Sequence, residues 1–311
     1  MSAAELYRDP VYDGATDPTV VIAGDGTWWM FYTQRRATHP DPGPGVAWVH
    51  GSRIGAARSR DGVAWEYAGT LEPDAAGLSL RPGAPPAEVA VTHWAPEVIH
   101  DGARWRMYLT EIDGVPDRWP GFARSIVEYV SDDLLRWHRR GPLPLASDRV
   151  IDAAVARTPD GRWRLWYKDE AADSVTKVAA SDDLAHWRDE GTAIGGRPHE
   201  GPSAFELGGW WWLVVDEWRG MGVYRSRDAV AWQRQGGADA VILGAGAVPG
   251  PGFGHHGAAV RDGDDVWFYY FGHPARAAIV DPERETIDDR RCAVYRARLR
   301  VESGVLIASG G

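Results

Sequence analysis

One pattern, Ser-x-Asp-x-x-x-Trp, recurs four times and constrains the fold of this chain more than any other feature. It reads Ser59-Arg60-Asp61 to Trp65, Ser131-Asp132-Asp133 to Trp137, Ser181-Asp182-Asp183 to Trp187, and Ser226-Arg227-Asp228 to Trp232. Each copy is a strand end, a tight polar turn and an aromatic residue that starts the next strand. Asp suits such a turn because its carboxylate bonds nearby backbone N–H groups. Upstream of each copy lies a strand rich in aromatic and aliphatic residues: Trp28 to Tyr32, Trp105 to Leu109, Trp163 to Tyr167 and Trp211 to Val215. A fifth such strand, Val266 to Tyr270, lacks the later Asp turn but is followed by Cys292-Ala293-Val294-Tyr295. A Gly turn and a further apolar run precede each aromatic strand. The repeating unit is therefore four short antiparallel strands, and five units fill the chain. Radial repetition of such units predicts an all-β fold, a five-bladed β-propeller of four-stranded antiparallel blades. It reads as one domain over residues 1–311, with the Pro-rich stretch 38–45 as a loop inside blade one.

Composition narrows the partners. Asp plus Glu outnumber Lys plus Arg by 44 to 34, a formal charge of −10. An acidic chain gains nothing from counterion release, so nucleic acid is excluded as a partner, and an anionic membrane surface is excluded on the same ground. No run of apolar residues is long enough to span a bilayer. The N-terminus has neither a basic nor an apolar leader segment, which reads as a cytoplasmic chain. Cys292 is the one cysteine and forms no internal disulfide. Only Lys168 and Lys177 are lysines, which reads as compositional bias. The excess is in tryptophan, 17 residues against 6 Phe. Indole rings serve both sheet packing and sugar stacking.

In a propeller the first strand of each blade lines the axis. Counting fifteen residues back from the ends of four aromatic strands gives Asp17, Asp152, Glu200 and His255. Blade two gives His93-Trp94. Three carboxylates around one axis are costly unless solvated or bonded. Acids around a Trp-rimmed pocket suit glycosidic cleavage: one carboxylic acid protonates the leaving oxygen and an opposed carboxylate activates water. A third acid raises the pKa of the first by like-charge repulsion. The loops at the same mouth carry Gln34-Arg35-Arg36, Glu111, Lys168-Asp169-Glu170, Asp216-Glu217-Trp218-Arg219 and His273, a set expected to define the sugar subsites. Asp216 and Glu217 stand as reserve catalytic acids.

Thr16-Asp17-Pro18-Thr19-Val20-Val21, Trp94-Ala95-Pro96-Glu97-Val98, Ile151-Asp152, Glu200-Gly201-Pro202 and Gly252-x-Gly254-His255 together resemble glycoside hydrolase family 43, in that family's order and across all five blades. The resemblance implies an inverting hydrolase with Asp17 as general base, Asp152 as pKa modulator and Glu200 as general acid. It implies Trp94 as stacking platform, with His93, Glu217 and His256 as further substrate contacts. His255 would hold a central-channel cation through waters. No cofactor is required for hydrolysis, so a Ca²⁺ or Na⁺ there would be structural or pKa-tuning. The sequence departs from the family at Thr19, Ala153 and His256-Gly257. The implied partner is an oligosaccharide or polysaccharide-derived substrate, and nothing in the sequence fixes an oligomeric state. Pentosides and furanosides are the substrates expected, cleaved as by an α-L-arabinofuranosidase, β-D-xylosidase or galactofuranosidase. The loop 35–53 and the loop with Trp119 are expected to wall off one end and make the enzyme exo-acting.

Two other readings compete. A non-catalytic carbohydrate-binding propeller would use the same tryptophans but has no need of three converging acids. Propeller glycosidases of other families differ in motif: the Asp–Trp spacing is one residue short of the sialidase Asp-box, and Arg8-Asp9-Pro10 stands in the wrong blade for a fructosidase.

Overall fold

The computed structural model describes residues 4–83, 90–276, 281 and 284–310. Its strands fall into five antiparallel blades. Blade one holds β1 (Ala15–Ile22), β2 (Trp28–Gln34), β3 (Arg53–Ser59) and β4 (Trp65–Pro73), followed by β5 (Gly77–Arg81). Blade two holds β6 (Val91–His100), β7 (Trp105–Asp113), β8 (Ser125–Ser131) and β9 (Arg136–Pro142). Blade three holds β10 (Val150–Arg157), β11 (Trp163–Asp169), β12 (Val175–Ser181) and β13 (Arg188–Ile194). Blade four holds β14 (Glu200–Leu207), β15 (Trp210–Asp216), β16 (Met221–Ser226) and the two-residue β17 (Gln233–Arg234). Blade five holds β18 (Gly257–Asp262), β19 (Asp265–Gly272), β20 (Ala293–Glu302) and β21 (Val305–Gly310). One short helix, α1 (Ile287–Arg290), precedes β20.

The inner strands β1, β6, β10, β14 and β18 pack side by side, and β18 returns to β1, so the ring closes. The N-terminal segment helps close it: Tyr7 pairs with Val294 of blade five, and Gly14 with Cys292. Cys292 is buried there as a small residue at the mouth of β20. The cores lie between blades. Trp212, Phe268, Tyr270 and Tyr295 pack between blades four and five, and Phe31, Met107 and Trp137 between blades one and two. The aromatic strands read from the sequence supply these residues, alternating across the pleat.

The four Asp turns are one structure repeated. The carboxylate of Asp133 accepts the N–H groups of Leu135 and Arg136, while the Ser131 hydroxyl accepts those of Asp133 and Leu134. The same bonds recur at Asp61, Asp183 and Asp228. In each copy the residue after Asp takes left-handed φ: Gly62 at 68°, Leu134 and Leu184 at 64°, and Ala229 at 60°. Three of these are not glycine, so the side-chain bonds of Ser and Asp offset the cost of that conformation.

Strand β5 was not legible in the sequence. This strand pairs with both β4 and β9 and joins blades one and two into a nine-stranded sheet. Blade five also lacks the Asp turn in its outer hairpin. There Ser303 and Gly304, both with positive φ, make the turn between β20 and β21.

Candidate active site

The inner strands of blades one to four share a break in register one residue past the mouth. It falls at Asp17-Pro18, Ala95-Pro96, Asp152-Ala153 and Gly201-Pro202. The first residue of each break is left-handed, with φ of 50°, 44°, 59° and 56°. Such a bulge re-aims a side chain and costs backbone energy of order 1–3 kcal/mol for a non-glycine residue. Asp17 and Asp152 occupy this position. Glu200 does not: its partner across the ladder is Asp216, which makes it the counterpart of Thr16 and Ile151. The count landed on Glu200 because the Gly208-Gly209 turn of blade four is short. At the true equivalent, Gly201, a Cβ would lie 2.4 Å from the His256 ring. A side chain is excluded there, and the acid stands one residue earlier on a longer stem.

Three of these breaks, and His256 of blade five, are tied to the blade before them. Ala95 N–H donates to Thr33 Oγ1 (2.7 Å), Asp152 N–H to Thr110 Oγ1 (3.2 Å), Gly201 N–H to Asp152 Oδ2 (3.0 Å), and His256 N–H to Asp216 Oδ2 (3.1 Å). Five blades are thus cross-linked at the level of the acids.

Asp17, Asp152 and Glu200 all line one cavity of about 350 Å³. Its walls carry Trp48, Trp94, Trp119 and Trp218, with Arg35, Arg124 and Lys168 among the charged residues. Asp17 Oδ2 accepts the Thr16 hydroxyl at 3.0 Å and lies 3.5 Å from Arg35; its Oδ1 lies 3.6 Å from His256 Nδ1. Burial opposes its charge, but Arg35 and His256 outweigh that and hold the carboxyl well below the usual range. Glu200 Oε2 is 3.0 Å from Lys168 Nζ, and its Oε1 accepts the Trp218 indole N–H at 2.9 Å. Burial would raise its pKa; Lys168 and Trp218 lower it on balance. Asp152 goes the other way. Burial, Glu200 and Asp17 push it up to about 7 against the pull of His256 and Lys168. The like-charge repulsion expected to keep Glu200 protonated therefore acts on Asp152, because Glu200 has a lysine in contact and Asp152 has none.

The two histidines exchange places relative to expectation. His255 sits in the pocket wall, bonded through Nδ1 to Asp216 Oδ2 at 2.9 Å and stacked on Phe271. His256 lies at the axis, where Asp17, Glu97, Asp152 and Glu200 all act on it or are acted on by it. Those four carboxylates come from the four other blades. Burial disfavours the imidazolium, yet Asp17, Asp152 and Glu200 raise its pKa to about 9. A protonated imidazole has no lone pair for a metal. Among the described residues no three His, Cys, Asp or Glu side chains converge as ligands. His256, rather than His255, is therefore the imidazole that stands among the acids of the other blades, where a water-held cation was expected.

Two further expectations are corrected. His93 faces away from the cavity, as alternation requires when its neighbour Trp94 faces it. It is buried beside Glu111, Arg53 and Arg139, and burial pushes its pKa down to about 4. Glu217 is buried outside the pocket, paired with Arg219 and Arg234. Glu111 likewise pairs with Arg139. The residue that enters the pocket from that loop is Trp218, at φ 56°, its N–H donated to Asp216 Oδ1 at 2.7 Å. Trp94 is fixed by an indole bond to Val49 O at 3.0 Å, and Arg124 lies over its ring. Trp119, about half exposed, stands at the rim 6.2 Å from Trp94. The loop 35–53 supplies Val46, Trp48 and Val49 to the wall, and Val46 N–H bonds Asp117 O on the loop that carries Trp119.

Glu97, of the Trp94-Ala95-Pro96-Glu97-Val98 stretch, is a further acid for which no role was expected. It accepts Val155 N–H and the Thr19 hydroxyl, and lines a second cavity of about 390 Å³ farther along the inner strands.

A five-bladed propeller that gathers three acids from three blades into an aromatic-walled pocket is the framework of a glycoside hydrolase. The chain belongs to the glycosyl hydrolases family 43, whose model matches residues 7–287. No curated protein matches it. Among solved structures it is similar to a thermostable family-43 glycoside hydrolase, with 18% identity, TM-score 0.69 and coverage of 98% of this chain and 96% of that one. The RS223 β-xylosidase gives 11% identity, TM-score 0.67 and coverage of 100% and 98%. An exo-1,5-α-L-arabinanase from a bovine ruminal metagenomic library gives 15%, 0.64, 98% and 99%.

Proposed function

We propose that this protein is an inverting, exo-acting glycosidase that removes a terminal pentoside or furanoside. The carrying observation is the opposite electrostatic treatment of the acids in one pocket. Asp17 is held ionised by Arg35 and His256, as a base must be, while Asp152 and Glu200 lie beside each other's charge. In this reading Asp17 takes a proton from the attacking water. Glu200 protonates the leaving oxygen, and Asp152 is the store of the proton that Glu200 uses. Trp94 and Trp218 offer apolar surface to the sugar rings. His256 acts through Asp17 rather than by touching sugar. The exo assignment is supported by the two loops tied at Val46 and Asp117 and by the tryptophans they place across the pocket. The pentose and furanose assignment is supported by the names of the xylosidase and arabinanase that share the fold.

The test is a panel of aryl glycosides, chiefly α-L-arabinofuranoside, β-D-xyloside and β-D-galactofuranoside, with Asp17→Asn and Glu200→Gln beside the unaltered enzyme. Turnover of one member, lost in Asp17→Asn and restored in Glu200→Gln by an activated aryl leaving group, is expected. NMR of the first-formed sugar should show the inverted anomer. Retention of configuration, or full activity in Asp17→Asn, would refute the assignment.

A further inference from the structure

Thr33, Thr110, Lys168 and Asp216 occupy one position in four successive blades, opposite Thr16, Trp94, Ile151 and Glu200. Three of them are acceptors that take an N–H from the next blade. Lysine has no acceptor, so in blade three that bond passes to Asp152 Oδ2. Lys168 is thereby released from the stitching, and its buried ammonium turns to Glu200. It lies 3.0 Å from Glu200 Oε2, 3.6 Å from Glu170 Oε1 and 5.2 Å over the Trp218 ring. Arg124 pairs with Glu170 from the other side. In a chain whose 34 basic residues include only two lysines, a flexible point charge stands where the pocket needs a movable one.

We propose that Lys168 is a positioning residue that governs the proton on Glu200, shifting its ion pair between Glu200 and Glu170 as the pocket fills. The proposal rests on Glu200 being the general acid. Before sugar binds, Lys168 keeps Glu200 ionised and the proton of the pair stays on Asp152. When a sugar oxygen reaches Glu200, Lys168 moves to Glu170 and the proton passes from Asp152 to Glu200, then to the leaving oxygen. Asp17 gives the proton taken from water back to solvent, and a solvent proton restores Asp152. The charged groups that face this pair are Asp152, Asp17, His256, His199, Glu170 and Arg124.

The test reads Glu200 directly, by carboxyl ¹³C NMR of glutamate-labelled enzyme, its signal assigned by loss in Glu200→Gln. In Lys168→Met the Glu200 titration should move up by about one to three pH units, the effect of removing a contacting opposite charge. Lys168→Arg should restore it. Glu170→Gln, which removes the competing partner, should move it down. The basic limb of the kcat/KM profile should shift in the same direction in each variant. An unmoved Glu200 titration in Lys168→Met overturns the proposal. If that variant does not fold, an unmoved titration in Glu170→Gln does so. A Glu200 titration that shifts while the basic limb stays fixed upholds the pairing and removes Glu200 from the general-acid role.

Discussion

Glu97→Gln should stabilise the enzyme at alkaline pH and leave it almost unchanged in acid. Glu97 lies beyond the three pocket acids, among the inner strands. Burial raises its carboxyl to about 7, against the pull of Val155 N–H, His256 and Thr19. A folded pKa above the unfolded one means that the protonated form is favoured in the fold. That contribution is intact below the unfolded value and is lost as pH rises through the folded one. From the unfolded value of 4.5 to about 7, the full shift is worth about 3 kcal/mol by linkage. Glu97 lines a cavity, so screening by water in the channel brings the figure to about 2 kcal/mol. Glutamine keeps the shape and an acceptor for Val155 N–H and carries no charge. Urea unfolding of both proteins at pH 5 and pH 8 supplies the assay. The variant's advantage should grow by about 2 kcal/mol between the two, less whatever His256 loses with its Glu97 partner. A stability difference that does not change with pH would refute the claim that Glu97 is ionised at a cost.

Asp133→Ala removes the acceptor for two N–H groups beside left-handed Leu134; a loss of about 1–2 kcal/mol in urea unfolding is expected, with kcat unchanged. His256→Asn removes the axial cation. Its pKa is raised to about 9 from 6.5, so its stabilising contribution is whole below pH 6.5 and fades as pH passes 9. The stability gap between the two proteins, measured by urea unfolding, should therefore narrow from pH 6.5 to 9.5. Thr110→Val leaves the Asp152 N–H without its acceptor; a loss of about 1–3 kcal/mol is expected in unfolding, together with a lower kcat on an aryl glycoside.

What the sequence revealed was what is local. The Asp turns were legible because Ser and Asp bond their own backbone, so the pattern and the structure lie within seven residues. The aromatic strands were legible because each carries its own pleated alternation. Direction at the mouth was not. His93 and Glu217 were placed in the pocket, but each adjoins the residue that enters it, Trp94 and Trp218, and a register shift of one reverses a side chain. Strand β5 was missed because Gly-Leu-Ser-Leu-Arg lacks a β-rich composition. Its Gly77 is needed for an approach in which a Cβ would stand 2.2 Å from Trp137 O, a contact formed only after blade two has folded. Lys168 was legible only as one of the loop residues expected at the sugar subsites; its pairing with Glu200 depends on which neighbour it fails to stitch.

The same bulge explains both the ring and its chemistry. In blades two to four the left-handed residue at the mouth of the inner strand donates its N–H to the preceding blade. Where that blade offers Thr33 or Thr110 the bond is neutral. In blade three the acceptor is the Asp152 carboxylate itself, so one acid of the pocket is anchored to the strand that carries the next. Asp216 repeats this device one blade later, accepting His256 N–H and His255 Nδ1 and thereby fixing both histidines. Asp152 and the strand that carries Glu200 are held in mutual geometry by bonds that also join successive blades. A change at Thr110 or Asp216, neither of which lines the pocket, should therefore be felt in catalysis as well as in stability.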